Sequence, residues 1–431
     1  MPKGKKKSRS DRHRIEGSLQ TSDDDSYPND NMSVLSNYSE NCSVEDGNEG
    51  DDFAQENFED KLVELIDGLS QKSSQGRVTS YKAFTKALIK KYMPSFIRDR
   101  TFTLCDCIEK SLKKGAAAEK SAAAELVAVI CVQLGTEDAG EDVCRTIKPL
   151  LLSMACDKSA TPSVRAECCT ALGNIAFLSG SDMAENLTLM QQFESIFSGS
   201  FLKGDGSVPT TTPEAGVMHA AALNAWTLLF TLIGPGNIGT MINNSKSLPS
   251  LEHISELLQS AHLDVRMAAG EALALIFEVG RAENEAFEED FADEVTETLK
   301  QLATDYHKYR SKKDRKQQRA TFRDILQFIE DDTTNEVQVK IGKEVLLLDT
   351  WVKRKQYDAL CTILGPSINN HLLENDLIKE IFEIDVTIVD SKIPAYAQLQ
   401  MERHRKRVQN AANFKARTIS RAKNRDKRSD F

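Results

Sequence analysis

No stretch of this 431-residue chain reaches the roughly 18 to 20 apolar residues that a membrane-crossing helix needs. The most apolar segment, LNAWTLLFTLIG, is too short and ends in glycine. The amino terminus also lacks an apolar core behind its basic start, since MPKGKKKSRSDRHR runs straight into polar sequence; a secretory leader is not expected. These absences predict a protein of the cytoplasm, with the nucleus also open, and without a membrane partner.

The chemistry of catalysis is missing as well. None of the nine cysteines forms a CxxC pair backed by a second pair or by histidines, so reduced and mostly buried thiols are expected rather than a zinc site or a disulfide framework. The seven histidines (His13, His219, His253, His262, His307, His371 and His404) are scattered singly. P-loop, HExxH, GxSxG and kinase-type motifs are absent. Gly234, Gly236 and Gly239 do satisfy GxGxxG. That fingerprint needs a buried strand before it and free amides for a pyrophosphate, whereas AALNAWTLLFTLI reads as helix and Pro235 removes an amide. A helix-ending turn is the better reading. The sequence predicts a non-enzyme with no catalytic residues, no metal, no cofactor and no small-molecule substrate.

Charge of one sign is missing over long stretches. From residue 15 to residue 60 there is no lysine or arginine, against fourteen acids; the first fourteen residues instead carry seven bases and one acid. Residues 1–55 are rich in Ser, Asp, Asn and Gly and hold too few large apolar side chains to offset chain entropy, so a disordered acidic region is expected there. Ser22 and Ser43, each followed by acids, are candidate sites for an acid-directed kinase. The whole chain is net −10, yet residues 401–431 reverse the sign.

What is present from residue 56 to about residue 330 is helical periodicity. Phe58, Leu62, Leu65, Ile66 and Leu69 mark one face of a first helix. A unit then recurs in which a polar or basic residue precedes small residues and, seven positions on, a large apolar one: Arg77 to Phe84, Lys120 to Val127, Arg165 to Leu172, His219 to Trp226 and Arg266 to Leu273. The anchors lie 43, 45, 54 and 47 residues apart, close to the period of HEAT and armadillo repeats. SVRAECCTALGNIAFL and DVRMAAGEALALIFEV are the most alike, with Ser163 and Asp264 placed to cap their helices and small residues where a neighbouring helix must come close. The fold class predicted is all-α: an armadillo/HEAT-like α-solenoid over residues 56–330, whose units need their neighbours to bury an apolar face. A smaller module is expected at 331–395, with a short hairpin in VQVKIGKEVLLLDTW and helices around Tyr357–Leu364 and Leu377–Ile384. Ahead of it, Lys308, Arg310, Lys312, Lys313, Arg315, Lys316 and Arg319 form either a solvated basic helix face or a second anionic contact.

The segment 396–431 is predicted to be a basic helix. It has good helix formers and no proline or glycine after Pro394. Its bases, Arg403, Arg405, Lys406, Arg407, Lys415, Arg417, Arg421, Lys423, Arg425, Lys427 and Arg428, stand against Glu402, Asp426 and Asp430. The cations spread around most of the circumference, and the apolar stripe (Val408, Ala411, Ala412, Ile419, Ala422) is too thin for a lipid surface. A rod charged on most sides suits a groove walled by phosphates of RNA or DNA. RHRKR would also serve as a nuclear-import signal, and a basic tail can simply be solubilising.

The stretches CIEKSLKKG, ICVQLG, VRMAAGEALALIFE, QLATD, RKQQRATFRDIL and, above all, NAANFKARTISRAKNRDKRSD resemble the interferon-related developmental regulator family, from about Phe58 to Phe431. The loop Gly204–Pro213 and the segment Asp385–Pro394 depart from its pattern. The resemblance implies an armadillo-like helical fold and two alternative roles. One is binding to ribosomes so as to hold them translationally silent, with the basic helix lying along the rRNA-walled mRNA path of the small subunit; carried over by position, that helix is Arg403–Arg428. The other is transcriptional co-regulation in differentiation, as a nuclear scaffold for chromatin-modifying protein complexes.

Overall fold

The computed structural model describes residues 51–384 apart from 137, 181, 235, 237, 239–240, 242–247, 305–310 and 342–343, with side chains from residue 58 onward. Helices dominate, and they alternate between two layers. An inner layer is formed by α2 (Ser74–Lys90), α5 (Ala117–Leu134), α7 (Pro162–Leu178), α9 (Pro213–Phe230), α11 (Leu263–Glu283) and α13 (Lys312–Asp331). Each packs on the next in that order. The outer layer holds α4 (Thr101–Lys114), α6 (Asp138–Cys156), α8 (Met183–Phe197), α10 (Leu251–Glu256) and α12 (Glu289–Thr304), while α1 (Asp51–Gly68) and the short α3 (Pro94–Arg98) close the first end. The architecture is the predicted all-α solenoid.

The recurring unit of the sequence has a structural meaning. The apolar member seven residues after each anchor (Phe84, Val127, Leu172, Trp226, Leu273) is at most 1% exposed. The anchor itself ties down the end of the preceding outer element. Arg77 donates to the carbonyls of Gln71 and Lys72, Arg165 to that of Ala155 at 2.8 Å, and Arg266 to that of Ser260 at 2.6 Å. These carbonyls have no helical partner of their own, and a cationic donor satisfies them. His219, at the same position, shares a hydrogen bond with the Ser200 hydroxyl, 2.7 Å from Nδ1. Lys120 breaks the rule. Its neighbour Glu119, 2% exposed, instead receives Arg77 at 2.8 Å on both oxygens and hydroxyls from Ser74 and Ser111, which locks α2 to α5.

Two expectations are corrected. Helix α1 begins at Asp51, so it overlaps the last residues of the segment 1–55 expected to lack order. The cap of α7 is Thr161, whose hydroxyl accepts from the Val164 amide, with Pro162 opening the helix, so Ser163 lies within the first turn; Asp264 likewise sits in the first turn of α11 rather than at its cap. Residues 1–50 lie outside the described residues.

His219 gives the fold a pH dependence. It is 6% exposed, and burial, with Arg165 and His262 nearby, pushes it down to about 4 from 6.5. The folded pKa is below the unfolded one, so from pH 6.5 to about 4 the unfolded chain takes a proton that the folded chain refuses. Stability should therefore fall with falling pH across that window, at up to about 1.4 kcal/mol per unit from this group. Thermal melts of wild type and His219→Gln at pH 7, 6 and 5 measure this; equal slopes for both would remove His219 as the cause.

Candidate functional site

The inner face of the solenoid is covered by the chain's own C-terminal part. After α13 the chain turns through a hairpin, β1 (Val337–Ile341) and β2 (Glu344–Leu348), paired antiparallel with Val339 opposite Leu346. It then returns along the inner helices as α14 (Trp351–Leu364), α15 (Ile368–Glu374) and α16 (Asp376–Ile381). The first of these begins earlier than the helix expected around Tyr357, and α15 was not expected at all. Its leucines and Ile368 are too few to show a period within seven residues.

Three clamps fix this strap. At its start, Thr350 caps α14 through the Lys353 amide, and Glu278 of α11 accepts the amides of Trp351 at 2.8 Å and Val352 at 2.9 Å. A carboxylate thus meets the positive end of a helix supplied by a distant part of the chain. Burial pushes Glu278 up to about 7, against the pull of the two amides. In the middle, the Lys355 ammonium, 6% exposed, donates to Asn224 of α9 and to Glu271 of α11. Gln356 donates to Thr231. A cleft of about 360 Å³ remains between strap and inner face, bordered by Asn174, Asn224, Met267, Glu271, Lys355 and Asp358.

At the far end, His371 places Nε2 2.8 Å from the Ile89 carbonyl and packs edge-on to Tyr92, and Asn375 donates to the Val132 carbonyl at 2.8 Å. Beneath them Gln133, wholly buried, donates to the carbonyls of Leu88 and Lys91 and accepts the Met93 amide. The C-terminal ends of α2 and α5 are thereby capped by side chains from elsewhere. The last described residue, Ile384, is packed against the core, so the strap carries the chain back to the edge where α2 and α5 end.

The chemistry of this arrangement is that of binding and bracing. Among the described residues no group of three His, Cys, Asp or Glu could hold a metal ion, and no helix is long and apolar enough to cross a membrane. The described cysteines are free thiols; burial raises Cys168 and Cys361 to about 12. The eleven bases read from the tail, from Arg403, Arg405, Lys406 and Arg407 through Lys415, Arg417, Arg421 and Lys423 to Arg425, Lys427 and Arg428, lie outside the described residues, as do Lys308 and Arg310. Of the same basic run, Lys312, Lys313 and Lys316 are exposed at the start of α13. Sequence reasoning missed Glu278, Lys355, Gln133, His371 and Asn375. The one available signal was a polar residue inside an otherwise apolar stretch, as with Gln133 in AVICVQLG.

Comparison with known proteins accounts for nearly the whole chain. Residues 31–330 match the family model described as interferon-related developmental regulator, and residues 375–429 match that of the interferon-related protein conserved region. Interferon-related developmental regulator 2 of Mus musculus is 37% identical over 412 residues, covering 94% of this chain and 90% of that protein. Interferon-related developmental regulator 1 of Homo sapiens is 36% identical over 405 residues, covering 93% and 88%. An uncharacterised protein of Schizosaccharomyces pombe is 30% identical over 201 residues, covering 42% and 43%.

Proposed function

Given that this chain belongs to the interferon-related developmental regulator family, we propose that it is a non-enzymatic regulator of gene expression that binds ribosomes through its basic C-terminal segment and represses translation in the cytoplasm. The observation that carries this reading is the tail itself. Eleven bases stand against three acids in residues 401–431 of a chain that is net −10 overall, and such a segment is drawn to phosphate-lined channels. A braced strap that returns the chain to one edge of the solenoid supports it, because a charged arm works best from a fixed base. The segment has too little apolar surface to favour lipid.

Sedimentation of cell extract through a sucrose gradient, with and without RNase, tests the proposal. The full chain should comigrate with 40S or 80S particles. If about five of the bases neutralise phosphates, log K should fall with log salt at a slope of roughly −3.5 to −4.5, so that affinity drops on the order of 100-fold between 50 and 200 mM salt. Changing Arg417, Arg421, Lys423 and Arg425 together to Glu should remove most of the association while leaving helix content intact. Full comigration of that variant at physiological salt would sink the idea and shift weight to the nuclear scaffold reading.

A further inference from the structure

Helix α2 differs from the rest of the body in charge. Its sequence, SQGRVTSYKAFTKALIK, has no acid, and Lys82, Lys86 and Lys90 stand at i, i+4 and i+8, all exposed. On the outer helices several bases are instead neutralised by an acid one turn before them: Lys110 pairs with Asp106, Lys113 with Glu109 and Arg145 with Glu141. Nothing comparable holds the α2 lysines. Among the described residues none of the three is in an ion pair, although two like charges four residues apart repel. The other base of the helix, Arg77, is consumed by Glu119.

Position adds to the charge argument. Lys82 lies five residues after its repeat anchor Arg77, and the corresponding residues of the next four inner helices are Glu125, Thr170, Asn224 and Glu271. The last three border the cleft or hold the strap there. Lys82 therefore opens the same ladder at its first end, where α14 and the turn after it rest on α2. Lys90 ends the helix beside Ile89, the residue to which His371 ties the strap. Chain beyond Ile384 thus begins at the edge toward which the three lysines lead.

We propose that the exposed lysine stripe of α2, Lys82, Lys86 and Lys90, is a second phosphodiester-binding surface, which engages the same RNA as the basic tail. This deepens the reading of the tail as a ribosome-binding segment and rests on it for the identity of the RNA, but not for the chemistry. Point charges on long side chains, with no fork geometry and with the helix aromatics Tyr81 and Phe84 buried beneath them, suit a sequence-independent contact with backbone phosphates. Two such surfaces on one RNA act together, because the second contact forms within the complex. The acidic segment 15–50 is the competing occupant, and it would cover the stripe instead.

The test uses the full chain and a fluorescein-labelled 40-nucleotide oligouridylate, read by anisotropy over 50 to 200 mM salt. Lys82→Glu/Lys86→Glu/Lys90→Glu should weaken binding about tenfold and make the log–log salt slope shallower by about 2, from three contacts at roughly 0.7 each. Lys114→Glu/Lys158→Glu/Lys203→Glu, with the same change in net charge at exposed sites elsewhere, should change affinity less than about twofold. Unchanged slope and affinity in the α2 variant would overturn the proposal. Tighter binding would do so too, and would assign the stripe to the acidic segment. Loss of gradient comigration for the tail variant is a separate readout, so the two readings fail independently. Circular dichroism of the α2 variant guards against misfolding, and Lys82→Gln/Lys86→Gln/Lys90→Gln, which cannot repel RNA, should shift the slope by the same amount.

Discussion

Replacing Gly173 by leucine is expected to lower the thermal unfolding midpoint by about 5 °C or more. Gly173 sits in the middle of α7 where it crosses α9. A Cβ placed there would lie 2.6 Å from the Cβ of Ala225 and 3.0 Å from its Cα. The obstacle is backbone, so neither helix can yield by turning a side chain. Overpacking of this kind costs about 1 to 3 kcal/mol and occasionally more, and a kilocalorie is about 2 to 4 °C in a domain of 150 to 250 residues. Even alanine should destabilise here, although in an open helix it would gain about 1 kcal/mol over glycine. Gly270→Leu should act in the same direction but less severely, because the atoms met there are the tips of Phe322 and Ile325. Gly204, with open space around it, is the control: Gly204→Ala should leave the midpoint within about 1 °C. A Gly173→Leu protein melting like wild type would mean that α7 and α9 do not cross as described.

That crossing also shows why the solenoid was legible in the sequence. Small residues at fixed offsets from a polar anchor are a direct requirement of close helix approach, and burial at the seventh position follows from the same 3.6-residue period. Arg165 and Arg266 could be found because their partners are backbone carbonyls, which every sequence has. Two of the strap's helices, around Tyr357–Leu364 and Leu377–Ile384, were expected, but its path over the inner face was not legible, for the opposite reason. Glu278 meets Trp351 and Val352 across more than 70 residues, and His371 meets Ile89 across 282; no local period encodes such pairs. Lys355, in WVKRKQYDAL, looks like any solvated base, and only its seat over Asn224 and Glu271 marks it. As for the candidate site, the charge of the tail could be read because composition needs no tertiary context, and its eleven bases lie outside the described residues. The α2 lysines were passed over, because their significance lies in the absence of acids on the packed helix and in what the strap brings beside them.

Gln133→Met should cost about 3 kcal/mol or more, with little change in side-chain volume. In the folded chain this one amide serves three backbone groups: its nitrogen donates to the carbonyls of Leu88 at 2.7 Å and Lys91 at 2.9 Å, and its oxygen accepts the Met93 amide at 2.6 Å. Gln133 is wholly buried, so water cannot replace it. Each buried group left unpaired costs about 1 to 3 kcal/mol, and some relaxation is expected because the Lys91 side is part-buried. Gln133→Glu should be no better. Its oxygens could accept from Met93, but they cannot donate to the two carbonyls, and burial of an unpaired charge adds its own penalty. Gln75, exposed at the start of α2, is the control, and Gln75→Met should be neutral within about 0.5 kcal/mol. Denaturant unfolding measures the loss, and amide exchange locates it. Protection should drop first at Lys91 and Met93, and then along α15 and α16, because His371 and Asn375 fasten the strap to the same two helix ends that Gln133 joins. If protection fell uniformly across the solenoid, or if Gln133→Met unfolded at the wild-type midpoint, the end of α2 would not be the point that holds the strap in place.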